Sequence, residues 1–129
     1  MEPSNKPLLA HLHRFTQQVN VTYQAMHDER VRLALWEDDQ DISILGEVEL
    51  LTTQLQGYAG QILLGRCEHP HEVLAHLQHI NPFETQPLSH WYITWGEKYP
   101  QISHYLETLD YLRLLMVEYL RQKTLQIAA

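Results

Sequence analysis

Apolar residues recur at steps of three and four along almost the whole chain, a period that belongs to the α-helix and not to the strand. Leu8, Leu12, Phe15, Val19, Tyr23, Met26 and Leu33 draw the first stripe. It predicts a helix from about residue 6 to about residue 36. Pro7 is tolerated in the first turn, where its missing N–H would have no partner, and Asn5 is placed to cap it. Glu37, Asp38, Asp39 and Asp41 follow. Carboxylates oppose a helix C-terminus and suit an N-terminus. This run is therefore expected to close the first helix and open the second, with Asp39 or Asp41 as N-cap.

Ile44, Val48, Leu51, Leu55, Tyr58 and Ile62 trace the second seam at alternating steps of four and three. Gly46, Gly57 and Gly60 lie inside it and Gly65 at its end. Each interior glycine costs roughly 0.5–1 kcal/mol relative to alanine. The expected compensation is the close approach of another backbone at Gly57–Gly60, the alternative being a kink there. Pro70 opens a short third helix, with Val73, Leu77 and Ile80 on its apolar face and Leu74 beside it. Asn81-Pro82 stops it. Between Pro82 and Pro100 the residues Trp91, Tyr92, Ile93 and Thr94 favour a strand by type. No second strand exists for them to pair with. The spacing of Leu88, Trp91 or Tyr92, and Trp95 reads as a second short helix. A last helix runs from Pro100 or Gln101 to about Gln126 on Ile102, Leu106, Leu109, Leu112, Met116 and Tyr119 or Leu120. A second stripe, Tyr105, Tyr111, Leu115 and Leu120, widens its apolar face. The fold class is all-α: an antiparallel helical bundle of three long helices and two short ones, in one domain over residues 1–129. A 30-residue helix spans ~45 Å, long for a compact chain of this size. Either the first helix bends near Asp28 or it finds a partner, and a homodimer is the simplest resolution.

Nine Lys and Arg stand against sixteen Asp and Glu, for a formal net charge of −7. Nothing basic is clustered, which argues against nucleic acid and against an anionic membrane surface as partners. Cys67 is the single cysteine, so no internal disulfide is required. No secretion-type N-terminus and no apolar run of membrane-spanning length is seen. A cytoplasmic location is expected.

The chain holds nine histidines, and His69, His71, His76, His79 and His90 fall close together. Glu72, His76 and His79 share one face of the third helix, a partial ligand set for a divalent metal. The His-Glu-x-x-His pattern of zinc proteases is absent, and the Glu-x-x-His step from Glu68 to His71 is interrupted by Pro70. A face of this kind is also simply solvated. His11 and His13 point to opposite sides of their helix. Cys67 is a nucleophile only with a lowered pKa; otherwise it is a structural thiol at a helix end.

The stretch Arg66-Cys67-Glu68-His69-Pro70-His71 sets an arginine and a histidine either side of four residues. That spacing resembles the active-site signature of the HEPN helical ribonucleases, over these six residues. The resemblance implies that Arg66 holds phosphate and His71 is the general base. Cys67 stands where the family usually carries a polar residue, and Pro70 interrupts the helix on which the motif sits.

Trp91, Tyr92, Trp95 and Tyr99 form the one aromatic cluster. Such residues dominate binding hot spots, and they are the candidate partner-binding residues. The function expected by elimination is non-enzymatic: a small helical protein acting through protein–protein interaction, of adaptor, regulator, chaperone or immunity type, without a cofactor. The alternatives are a metal-binding bundle using Glu72, His76 and His79, and a HEPN-like ribonuclease.

Overall fold

The computed structural model describes residues 6–35, 38–80 and 99–128, and these are helical with short connections. Four helices are present among them: α1 (Lys6–Arg32), α2 (Asp39–Leu63), α3 (Pro70–His79) and α4 (Pro100–Ala128). The all-α expectation holds. Of the two short helices, α3 is present; the one expected at Leu88–Trp95 lies outside the described residues.

Side-chain pairs fix the helix directions. Phe15 meets Tyr111 with ring centroids 4.6 Å apart, and Tyr23 meets Tyr105 at 5.6 Å, so α1 and α4 are antiparallel. Gln56 donates to Asn20 at 2.7 Å and Tyr23 donates to Glu49 at 3.2 Å, so α1 and α2 are antiparallel too. Thr52 bonds Tyr105 midway along α2, while Ile62, near its C-terminus, shares a small cavity with Leu120. α2 and α4 therefore run parallel, both against α1. The most extensive interhelical contact joins α1 to α4, and the next joins α3 to α4. The last helix is the hub.

Its burial shows why. Ile102, Tyr105, Leu106, Leu109, Leu112, Met116 and Leu120 are almost wholly removed from solvent. They meet Leu12, Val19 and Met26 from α1, Val48, Leu51, Leu55 and Ile62 from α2, and Val73 and Leu77 from α3 in one core. Among the described side chains the predicted seams are thus largely the buried ones, with Leu8, Phe15, Tyr23, Tyr58 and Ile80 half-buried. The second stripe on α4 is only partly covered: Leu115 is half-buried and Tyr111 is 46% exposed.

Three expectations need correction. The first helix does not reach residue 36. It ends at Arg32, because Ala34 takes a left-handed conformation at φ 52°. Leu35 N then donates to Arg30 O at 2.9 Å and Ala34 N to Val31 O at 3.2 Å, a Schellman motif without glycine. Leu33 consequently falls outside the helical stripe. The N-cap of α2 is Asp38, not Asp39 or Asp41; its carboxylate accepts from Asp41 N at 2.8 Å, leaving Asp39 and Asp41 in the first turn. The acidic run opens α2 as expected but does not close α1.

The third correction concerns glycine. α2 is continuous from Asp39 to Leu63, without a break at Gly57–Gly60. Nor does another backbone approach among the described residues, where a Cβ built on Gly46, Gly57 or Gly60 would meet nothing within 4 Å. The residue that faces the core there is Ala59, fully buried, and the three glycines lie on the other side of the helix. At its C-terminus α2 repeats the stop seen in α1. Gly65 sits at φ 67°, Arg66 N donates to Gln61 O at 2.8 Å and Gly65 N to Ile62 O at 3.1 Å.

Candidate functional site

The left-handed turn at Gly65 and the proline at Pro70 fold α3 back beside the C-terminal half of α2. A groove of about 530 Å³ opens between them, within the usual range for ligand sites. Val73, buried, forms its floor. Tyr58 and Gln61 come from α2, Arg66, Glu68 and His69 from the connection, and Glu72 and His76 from α3.

One contact defines the groove. Tyr58 Oη and His76 Nδ1 share a hydrogen bond, and the two rings meet edge to face with centroids 5.5 Å apart at 89°. Both side chains are half-buried. Where the phenol donates, Nδ1 is the acceptor and Nε2 carries the ring N–H. Nε2 has no hydrogen-bond partner among the described residues. Arg66, Glu68 and Glu72 are exposed, and none of them makes a side-chain hydrogen bond or an ion pair among the described residues. Two carboxylates, one guanidinium and an oriented imidazole therefore surround an apolar floor with their charges uncompensated.

Behind the groove, α3 is anchored at its far end. Arg113 of α4 is 7% exposed. Its Nη1 donates to Leu77 O at 3.1 Å, and its Nε and Nη2 reach Asp110 Oδ1 at 3.1 and 3.0 Å. A helix leaves its last carbonyls without partners, and here a side chain from another helix supplies one. His69, the N-cap residue of α3, makes no side-chain capping bond. α3 is thus held by its apolar face and by Arg113.

The candidate residues distribute as follows. Glu72 and His76 line the groove, whereas His79 is exposed and does not. Among the described residues no group of three or more His, Cys, Asp or Glu is placed to hold a metal ion. Of the Arg66 and His71 pair, Arg66 lines the groove and His71 does not; the histidines beside Arg66 are His69 and His76. Arg66 lies in the connection and His71 in the first turn of α3, not on one helix. Cys67 is half-buried. Burial pushes its thiol up, a hydrogen bond with the His69 backbone opposing this more weakly. That setting disfavours the thiolate. Trp91, Tyr92 and Trp95 lie outside the described residues, and Tyr99 is half-buried against the core.

A second surface lies on the outer side of α2. Ile42, Gly46, Leu50, Thr53, Gly57 and Gly60 follow steps of three and four along it, and Leu64 extends the line. Ile42, Leu50 and Leu64 are 52, 61 and 68% exposed. None of these seven positions is charged, although the exposed Glu49 stands beside them, three residues after Gly46 and four before Thr53. Among the described residues no helix is long and apolar enough to cross a membrane.

Comparison with known protein families, with curated proteins and with solved structures finds no match to this chain.

Proposed function

We propose that this chain is a non-enzymatic helical protein that works by binding another protein, and that the outer face of α2 is where the partner helix packs. The uncovered, uncharged line from Ile42 to Leu64 carries this reading. Leucine and isoleucine exposed in a row are the kind of apolar patch that marks a protein contact. The glycines add to it. Each weakens α2 by roughly 0.5–1 kcal/mol, and nothing among the described residues packs against them. A partner helix gains from their absent side chains, since its backbone can come closer. In the homodimer that partner is a second copy of the chain. In the same reading Trp91, Tyr92, Trp95 and Tyr99 are further proposed partner-binding residues.

The experiment is sedimentation of the untagged protein and of Leu50→Glu. Leu50 is exposed, so the charge leaves folding intact. The dimer reading expects a particle of twice 15.2 kDa for the wild type and a monomer for the variant. A wild type that stays monomeric at hundreds of micromolar excludes the second copy. If bait carrying Leu50→Glu also retains the same proteins as wild-type bait, the α2 face is not the binding surface.

A further inference from the structure

The groove between α2 and α3 has a chemistry of its own, independent of the α2 outer face. Its two carboxylates, Glu68 and Glu72, are exposed and unpaired among the described residues although Arg66 lines the same groove. Among the lining side chains two carboxylates, Glu68 and Glu72, stand against one guanidinium, Arg66. The chain as a whole carries −7. Long-range attraction and the local balance therefore both favour a cation. The Tyr58 ring lines the same groove as the carboxylates and offers a surface for the stem and the cation it carries. The floor is Val73, apolar and buried, against which the methylene stem of a long basic side chain can lie. Gln61 and Arg66 complete the lining with N–H donors. A bare inorganic cation has no use for these, and no metal-holding group is present among the described residues. A peptide carbonyl does. Cationic head, aliphatic stem and flanking carbonyls together describe one ligand class.

We propose that this groove is a docking site for an arginine or lysine side chain of a partner polypeptide, with Glu68 and Glu72 receiving the charged head, Tyr58 and Val73 the stem, and Gln61 and Arg66 the flanking peptide carbonyls. The Tyr58–His76 hydrogen bond holds the ring that lines the groove, so His76 is a positioning residue. Closing a small ligand over half-exposed side chains gives weak affinity by itself. The site contributes selectivity to a larger contact.

The test is titration of 15N-labelled full-length protein with N-acetyl-Gly-Arg-Gly-amide, followed by amide shifts. The expected shifts cluster at Tyr58, Gln61 and residues 66–76. Glu68→Gln/Glu72→Gln is expected to weaken binding at least tenfold, as is replacing the peptide's arginine by its neutral isostere citrulline. Asp39→Asn/Glu47→Gln removes the same charge from exposed positions elsewhere and is expected to change affinity less than twofold. Leu50→Glu is also expected to leave it unchanged, which separates this site from the α2 face. Shifts scattered over all acidic positions, equal weakening by both charge-removing pairs, equal binding of the citrulline peptide, or no shift at all would each overturn the proposal.

Discussion

Ala34 and Gly65 offer a matched experiment on the cost of stopping a helix. Both sit in Schellman motifs with the same two hydrogen bonds, at φ 52° and 67°. One has a methyl group and the other does not. An L-residue held in the left-handed region costs ~1–2 kcal/mol. Glycine gives back part of that, because its unfolded chain is freer by ~0.4–1 kcal/mol. The net difference is about 0.5–1 kcal/mol in favour of glycine. At Gly65 sterics add nothing, since a Cβ there would meet no atom within 4 Å. Ala34→Gly is thus expected to stabilise the protein by ~0.5–1 kcal/mol, and Gly65→Ala to destabilise it by the same amount. The two sites flank α2, whose 25 residues separate them by ~35 Å. Their effects should add, so the double variant returns near the wild type. Urea denaturation at one fixed protein concentration reads the shift in midpoint at constant slope. Shifts of the same sign in the two single variants would refute the argument, as would Gly65→Ala unfolding at the wild-type midpoint.

Asp38→Ala removes the α2 cap and should cost about 1 kcal/mol in a thermal melt, whereas Asp39→Ala, with no capping bond, should cost a few tenths; equal losses would contradict the assignment of the cap. Arg113→Met strands Asp110 and the Leu77 carbonyl and should cost ~3 kcal/mol, with Asp110→Leu in the same chain recovering part of it; hydrogen exchange should show the α3 amides opening first. Tyr105→Phe should cost ~1 kcal/mol, because Thr52 keeps its bond to the Val48 carbonyl at 2.8 Å. Burial raises the Tyr105 phenol well above its ordinary value, and raises Tyr23 with help from Glu49. Their contribution to stability is therefore complete below pH ~10, where unfolded tyrosine ionises, and is lost as pH climbs toward the folded-state values. Absorbance at alkaline pH should show Tyr105 ionising only as the protein unfolds, and Tyr105→Phe should flatten the alkaline loss of stability.

The helices were legible because burial selects one face, and a period of three and four records which face. Leu12, Val19, Leu55, Leu77, Leu109 and Met116 could be read as core from spacing alone. The end of α1 was not legible, because nothing in an alanine announces a left-handed residue as glycine does at Gly65. The cap of α2 slipped by one residue among neighbouring aspartates, each chemically able to serve. The three glycines of α2 were noticed, but spacing could not say which side of the helix they occupied relative to Ala59. The groove was half visible. Glu72 and His76 stand out as metal-ligand types and Arg66 as a phosphate holder. Tyr58 was read as seam, though the Gly65 stop and Pro70 start imply a hairpin that lays α3 against it. Arg113 gave no signal: an arginine three residues after an aspartate is ordinary on any solvated helix, and the carbonyl it caps belongs to another helix.

The packing of α1 chiefly against α4 has a consequence for how the chain is made. A ribosome releases α1 first, yet the stripe of Leu12, Val19 and Met26 finds most of its cover on residues that emerge some ninety positions later. Until then α1 and α2 have only each other, through a modest contact. α3 fares no better, since its last turn waits for Arg113. The cover of the α1 stripe therefore stays incomplete until α4 has been made.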